Sequence, residues 1–85
     1  MADPNRDMLR RQMLEVVENQ LRDNDPPETR ATLDRLMAEG HSRSEAKRLI
    51  ACVVAAEMFH VFKERRPYDR GHFVAGLRGL PELPE

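Results

Sequence analysis

The sequence predicts an all-α fold, a small single-domain helical bundle with three main helices and a short fourth helix at the C-terminal end. Apolar residues recur every three or four positions along four segments, which is the spacing of one helix face. Ser, Asp, Pro and Gly residues stand at the ends of these segments, where helices begin and end. No stretch alternates apolar and polar residues over the length of a strand. A chain of 85 residues forms one domain, with an ordered core expected at about 5–80.

The first helix is predicted at residues 4–23. Asp3 is a suitable N-cap and Pro4 a suitable first residue, because the amide hydrogen that proline lacks would have no partner there. Its apolar face is predicted to carry Leu9, Met13, Val16, Val17 and Leu21, with Gln20 among them. Two prolines at 26 and 27 end this helix, because proline cannot continue the hydrogen-bond ladder.

The second helix is predicted at residues 26–39. Asp25 is expected to cap it, with Pro26 as its first residue and Glu28 completing a pair that resembles a capping box. Its inward side is predicted to carry Thr29, Leu33, Leu36 and Met37. Gly40 ends the helix, because glycine readily adopts the left-handed conformation of a C-terminal cap.

The third and fourth helices also carry end signals. Ser42 and Glu45 form the capping box S-x-x-E at the start of a helix predicted at 43–65, and Pro67 stops it. Asp69 is expected to cap a short helix at 70–78. The apolar residues of this last helix are Phe73, Val74 and Leu77.

The third helix is predicted to have two apolar faces. The first gathers Ala46, Leu49, Ile50 and Val53, and the second gathers Cys52, Ala55, Ala56, Phe59 and Phe62, in directions roughly 150° apart. A helix that is apolar on both sides lies between neighbours or offers one face to another chain. We therefore predict that Leu49, Ile50 and Val53 form an interaction surface for a protein partner or for a second copy of the chain.

A metal-ligand pattern lies in the second half of the same helix, beyond Val53 on the first face. Glu57 and His60 are one helical turn apart, and Glu-x-x-His is a ligand pattern of di-metal helical bundles. Both are candidate metal ligands, but the chain contains a single copy of the pattern, and neither His41 nor His72 has a spacing that converges on Glu57. The alternative is that the first face loses its covering neighbour, so that Glu57 and His60 form a solvated pair.

Composition argues against several classes of function. A net charge of −1 gives no global attraction to nucleic acid or anionic lipid. The apolar run at 49–56 falls well short of the roughly 20 residues that span a bilayer, and the N-terminal sequence is too polar for a signal peptide. Cys52, the one cysteine, is predicted to be a small buried side chain in the reducing cytosol.

Catalytic patterns are weak. There is no Gly-rich phosphate loop and no Cys–His pair with a plausible base, and Ser42 and Ser44 are better explained as helix caps than as nucleophiles. We therefore predict no catalytic residue, no cofactor and no enzymatic activity, and a role in protein–protein interaction or assembly.

The segment that joins the second and third predicted helices resembles the ribbon-helix-helix DNA-binding proteins. In those proteins a helix is followed by a glycine turn and by the sequence S-x-S-E, which begins a second, dimerising helix. The residues that match are Gly40, Ser42, Ser44, Glu45 and Arg48. The resemblance implies a DNA-binding dimer with Arg43, Lys47 and Arg48 as phosphate contacts. In that family the bases are read by a strand that precedes the first of the family's two helices. In this chain the corresponding place holds "ENQLRDND", which continues the helix predicted at residues 4–23.

A broader likeness covers most of the chain. Its features are Glu18, Gln20, Pro26–Pro27, Arg35–Leu36, Gly40, Glu45–Ala46 and the closing leucine-rich helix. With these features the chain resembles a family of small bacterial helical proteins known as a domain of unknown function. The resemblance implies a compact helical fold in the bacterial cytosol and no particular activity.

Overall fold

Four α-helices make up most of residues 4–83, the part of the chain that the structure, a computed structural model, describes. They are α1 (Pro4–Asp23), α2 (Pro27–Ala38), α3 (Arg43–Glu64) and α4 (Arg70–Gly79). The predicted fold class is confirmed, and every described helix end lies within one residue of its predicted position. Residues 4–83 contain no strand. The predicted cap at Asp3 lies outside the described residues.

One core forms where the helices meet, and each helix contributes to it. Its buried apolar residues are Met13, Val17 and Leu21 from α1, Leu33 and Leu36 from α2, Ala46, Ile50, Ala51, Val53 and Val54 from α3, and Phe73, Leu77 and Leu80 from α4 and the residue after it. The longest helix, α3, contacts all three others. It is therefore the element that positions any site on this domain.

The cap predicted at Asp25 is wrong. Pro26 occupies the N-cap position of α2, with φ −75° and ψ 152°, and it forms no side-chain cap hydrogen bond. A residue that precedes a proline is disfavoured in the helical conformation. Because Pro27 follows Pro26, Pro26 stays extended and the helix begins one residue later than predicted.

The end signals predicted at Gly40, Ser42 and Asp69 are confirmed. Gly40 has φ +104°, and the N–H of the next residue, His41, donates to the carbonyl of Leu36 (3.0 Å), as in a helix C-terminal cap. The side chain of Ser42 accepts from the N–H of Glu45 (3.1 Å). Asp69 accepts in the same way from the N–H of His72 (3.1 Å).

Two residues predicted on inward faces are exposed. Leu9 lies near the N-terminal end of α1, and Met37 lies at the edge of the apolar side of α2. Thr29 and Thr32 are buried on α2, although only Thr29 was expected there. The hydroxyl of Thr29 donates to Oε1 of Gln20 (2.9 Å), which removes most of the penalty for burying it.

Arg35 joins α2 to the end of α4. Its guanidinium group donates to the carbonyls of Leu80 (2.9 Å) and Leu77 (3.1 Å). Carbonyls in the last turn of a helix have no partner within the helix. The side chain of Arg35 therefore supplies a donor to Leu80 and a second donor to Leu77, whose carbonyl also accepts from the N–H of Leu80 (3.2 Å), and it fixes the position of α4 relative to α2.

Candidate functional site

The first apolar face of α3 is buried inside the domain. Ile50 has no exposed surface and Val53 is 3% exposed, while Leu49 is partly buried against the core. The prediction that these three residues form an interaction surface is wrong for Ile50 and Val53, because the other helices cover this side of α3. At Val53 the neighbour is α4, whose Gly76 lies so close that an added Cβ would be 2.9 Å from Cγ1 of Val53.

The second apolar face of α3 is the one that remains open. We call Cys52, Ala55, Met58, Phe59 and Phe62 the apolar strip. Phe62 is 74% exposed and Phe59 58% exposed. The prediction that Cys52 is buried is wrong, since its side chain is exposed on the side of α3 that no other helix covers fully. The ring of Phe59 is contacted by two polar side chains, with Nζ of Lys63 5.5 Å from its centroid and the ring centroid of His60 5.9 Å away, edge-on.

A groove between α1 and α3 borders the strip at its Cys52 end. We call it the arginine groove, and its lining residues are Arg6, Leu9, Arg10, Met13, Leu14, Arg48, Ala51, Cys52 and Ala55. Its floor is made of small and apolar side chains. All three charged residues that line it are arginines, and within residues 4–83 none of the three forms an ion pair.

A second cleft adjoins the arginine groove near the start of α3. Its lining residues are Arg10, Leu14, Glu18, Arg43, Ser44, Lys47 and Arg48. The three predicted phosphate contacts, Arg43, Lys47 and Arg48, therefore lie together on one surface. Of these three residues, Lys47 forms an ion pair, because its ammonium group contacts the carboxylate of Glu18. This pair lowers the pKa of Glu18, chiefly through the hydrogen bond from Lys47.

A third groove lies beside the other end of the strip. We call it the aromatic groove, and it is lined by Val16, Gln20, Val54, Glu57, Met58, Val61, Phe62, Tyr68 and Phe73. Its volume is about 270 Å³, at the small end of the few hundred cubic ångströms typical of pockets for whole small molecules. The groove is of a size to receive one or two apolar side chains.

Glu57 is buried at the back of this groove. Its side chain is only 4% exposed, and Oε1 accepts from Nη1 of Arg66 (3.2 Å) and from the N–H of Asp69 (3.3 Å). Oε2 lies 2.6 Å from Nδ1 of His72. The expectation of a solvated Glu57–His60 pair is therefore wrong. Glu57 instead joins α3 to the connection at 65–69 and to the start of α4.

The pKa of Glu57 reflects these contacts. Burial alone would raise it, but the hydrogen bonds from His72, Arg66 and the N–H of Asp69, together with the charge of Arg66, lower the pKa below the ordinary value of 4.5. The carboxylate is thus held in its ionised form inside the domain.

The two candidate metal ligands form separate hydrogen bonds, although both contact His72, whose ring centroid lies 5.5 Å from that of His60. Nδ1 of His60 lies 3.3 Å from Oε1 of Glu64, and Nε of Arg66 donates to Oε2 of the same carboxylate (3.1 Å). Arg66 therefore already supplies positive charge between Glu57 and Glu64. Within residues 4–83 no three His, Cys, Asp or Glu side chains are grouped as a metal site requires. Metal binding by Glu57 and His60 stays a prediction.

The burial of Glu57 had a signal in the sequence, whereas its contact with His72 had none. Residues 46, 50, 53 and 57 recur at alternating spacings of four and three, so the position of Glu57 already continues the buried face of α3. Because its side chain is a carboxylate, Glu57 was instead predicted to be a metal ligand or a solvated residue. His72 lies 15 positions along the chain, beyond a change of chain direction, and nothing in its spacing links it to Glu57.

Comparison with known proteins identifies no relative. No protein-family model matches the chain, and no curated protein and no solved structure is significantly similar to it. Both family resemblances stay predictions. Within the described part of the chain no helix is long and apolar enough to cross a membrane.

Proposed function

We propose that this protein is a binding module without catalytic activity, and that it receives a helix of another polypeptide on the apolar strip of α3. The observation that carries the proposal is the exposure of Phe59 and Phe62 next to Met58, which is 38% exposed. Large apolar side chains grouped on the surface of a small domain are typical of a contact with another molecule. We include a cytosolic location, because a reducing compartment suits the exposed thiol of Cys52.

The spacing of the strip favours a helix as the bound element. Cys52, Ala55, Phe59 and Phe62 follow one another at intervals of three, four and three residues, which forms a continuous ridge along α3. Grooves lie between this ridge and α1, one at each end of the strip. An amphipathic helix presents anchors at the same intervals and can place them in such grooves.

Charge favours a different polypeptide over a second copy of this chain. In a two-fold contact the same surface meets itself. The arginine groove would then add Arg6, Arg10 and Arg48 of both copies to one interface, which is unfavourable for charges of one sign. The homodimer that the sequence also allowed is therefore the weaker form of this proposal.

Site-specific crosslinking in the native host tests the proposal. A photoreactive phenylalanine analogue replaces Phe62, and the matched control carries it at Arg78, an exposed position of α4. We expect a defined adduct at 62 that is absent at 78. The polypeptide identified must then bind the purified chain, and the double change Phe59→Ser and Phe62→Ser must abolish that binding while the circular dichroism spectrum stays helical.

Two results would contradict the proposal. The first is an adduct at 62 that contains only copies of this chain, because it would make the strip a self-association surface. The second is a purified partner that binds wild type and the double serine variant equally well.

A further inference from the structure

The charges beside the apolar strip specify what the bound helix carries. The arginine groove and the adjoining cleft share Arg10, Leu14 and Arg48 and form one continuous surface. Five basic side chains and one acidic side chain line it, although the net charge of the whole chain is −1. The one acidic residue, Glu18, is already paired with Lys47. The other charges on this surface are all guanidinium groups, of which Arg43 also interacts with the carboxylate of Glu18.

From this arrangement we infer that the partner is an amphipathic helix with acidic residues next to its apolar anchors, bound in the arginine groove with its carboxylates facing Arg10 and Arg48. This inference rests on the proposed function and deepens it. Guanidinium groups match carboxylates in geometry as well as in charge, because two N–H groups can donate to the two oxygens of one carboxylate.

The shape and floor of the groove distinguish this partner from other anions. Ala51, Cys52 and Ala55 are small, so a partner backbone can approach α3 closely at this place. Leu9, which is 54% exposed, supplies an apolar wall on the side of α1. A phosphate backbone would gain nothing from an apolar floor, and a lipid surface would not enter a concave groove. An acidic amphipathic helix uses both the floor and the arginines.

Selection from a peptide library tests the inference. The library displays peptides of about 16 residues, roughly 24 Å of helix, with apolar residues fixed at helical spacing and the flanking positions randomised. The full chain serves as the target, held by a tag at its C-terminal end so that Cys52 stays free. We expect the enriched peptides to carry Glu or Asp at the flanking positions.

Charge reversal then locates the contact. The variant Arg10→Glu/Arg48→Glu is expected to bind the enriched acidic peptides at least about tenfold more weakly than wild type. It should also bind peptides with Lys at the same flanking positions more tightly than wild type does. The matched control Arg11→Glu/Arg78→Glu changes the net charge equally, at exposed positions away from both grooves, and should bind the acidic peptides as wild type does once salt screens long-range attraction.

Three other results would overturn the inference. Enriched peptides without acidic preference that lose binding in the Phe59→Ser/Phe62→Ser variant would overturn the inference and leave the proposed function standing. A library without any enriched peptide would overturn the inference, while the crosslinking experiment decides the proposed function separately. Vesicles of phosphatidylserine and phosphatidylcholine, or a random DNA duplex, that bind through Arg10 and Arg48 more tightly than any selected peptide would also overturn it.

Discussion

At the scale of single residues, Glu57 is the buried charge on which the end of α3 depends. It accepts hydrogen bonds from Arg66 and from the backbone of Asp69, and it contacts the imidazole of His72. Removing a buried carboxylate leaves these groups without their partner, and an unsatisfied group costs more than the net gain of the bond that it loses. Glu57 therefore holds together three consecutive pieces of chain, namely α3, the 65–69 connection and α4.

We predict that Glu57→Gln lowers the free energy of unfolding by about 1–3 kcal/mol, as measured by urea denaturation at neutral pH. The glutamine keeps the shape of the side chain but loses its charge. The matched control is Glu64→Gln, which also removes a carboxylate bonded to Arg66. Glu64 has a side chain that is 51% exposed, so water replaces its lost contacts and its effect should be smaller. An equal or larger effect of Glu64→Gln would contradict this role of Glu57.

The comparison of wild type with Glu57→Gln also gives a pH dependence with a definite sign. Because the pKa of Glu57 is lower in the folded state than its ordinary value of 4.5, the unfolded chain takes up this proton at the higher pH. The stability that the ionised carboxylate contributes is present above pH 4.5 and is lost as the pH falls through the folded-state pKa. The difference in unfolding free energy between wild type and Glu57→Gln should therefore shrink below about pH 4. A difference that grows on acidification would contradict the lowered pKa.

At the scale of secondary-structure elements, the close approach of α4 to α3 sets how the buried face of α3 is covered. Gly76 has no side chain, and α4 is close enough at this position for its backbone to contact Val53. A larger residue would separate the two helices at a place where Val53 is almost completely buried. The absence of a side chain at position 76 is thus a packing requirement, although glycine is a poor helix former.

We predict that Gly76→Ala destabilises the protein by about 1–3 kcal/mol, because the added Cβ would lie 2.9 Å from Cγ1 of Val53. Helix propensity alone would stabilise the variant by up to about 1 kcal/mol, so the sign of the change identifies the dominant effect. Gly79→Ala is the control, since a Cβ there meets nothing within 4 Å. Thermal unfolding of both variants measures the effect, and a Gly76→Ala variant as stable as wild type would show that α4 moves away at little cost.

Helix ends were predictable from sequence because they depend on local chemistry. Proline, glycine and the capping side chains of Ser42 and Asp69 act within a few residues of where they stand. The start of α2 was missed by one residue because a second proline restricts the first. Even that error has a local cause, and it does not affect the order or type of the elements.

The assignment of the two faces of α3 was not predictable in the same way. Periodicity indicates that a helix has two apolar sides, but it does not say which side its neighbours cover. That depends on contacts such as Gly76 with Val53, which join distant parts of the chain. As a result, Ile50 was assigned to the surface and Cys52 to the interior, and the structure reverses both. The predicted surplus of apolar surface on α3 is present, but on the second face.

At the scale of the whole molecule, the net charge conceals an uneven distribution. The chain carries 14 basic and 15 acidic side chains, yet the surface between α1 and the first half of α3 is lined by five basic residues and one acidic residue. This surface borders the apolar strip at its Cys52 end. Apolar exposure alone would promote self-association, and charge of one sign beside it opposes association of identical copies.

We predict that the wild-type protein is a monomer at micromolar concentration in low salt, as measured by sedimentation equilibrium. Raising the ionic strength screens the repulsion between arginines but leaves the apolar attraction, so any self-association should increase with salt. The single change Arg48→Glu lowers the positive charge that each copy brings to a two-fold contact and should promote association at low salt, whereas Arg78→Glu should not. A wild-type dimer that is tight at low salt and weakens as salt is added would mean that ion pairs between copies outweigh this repulsion. The apolar strip would then be an interface of the protein with itself.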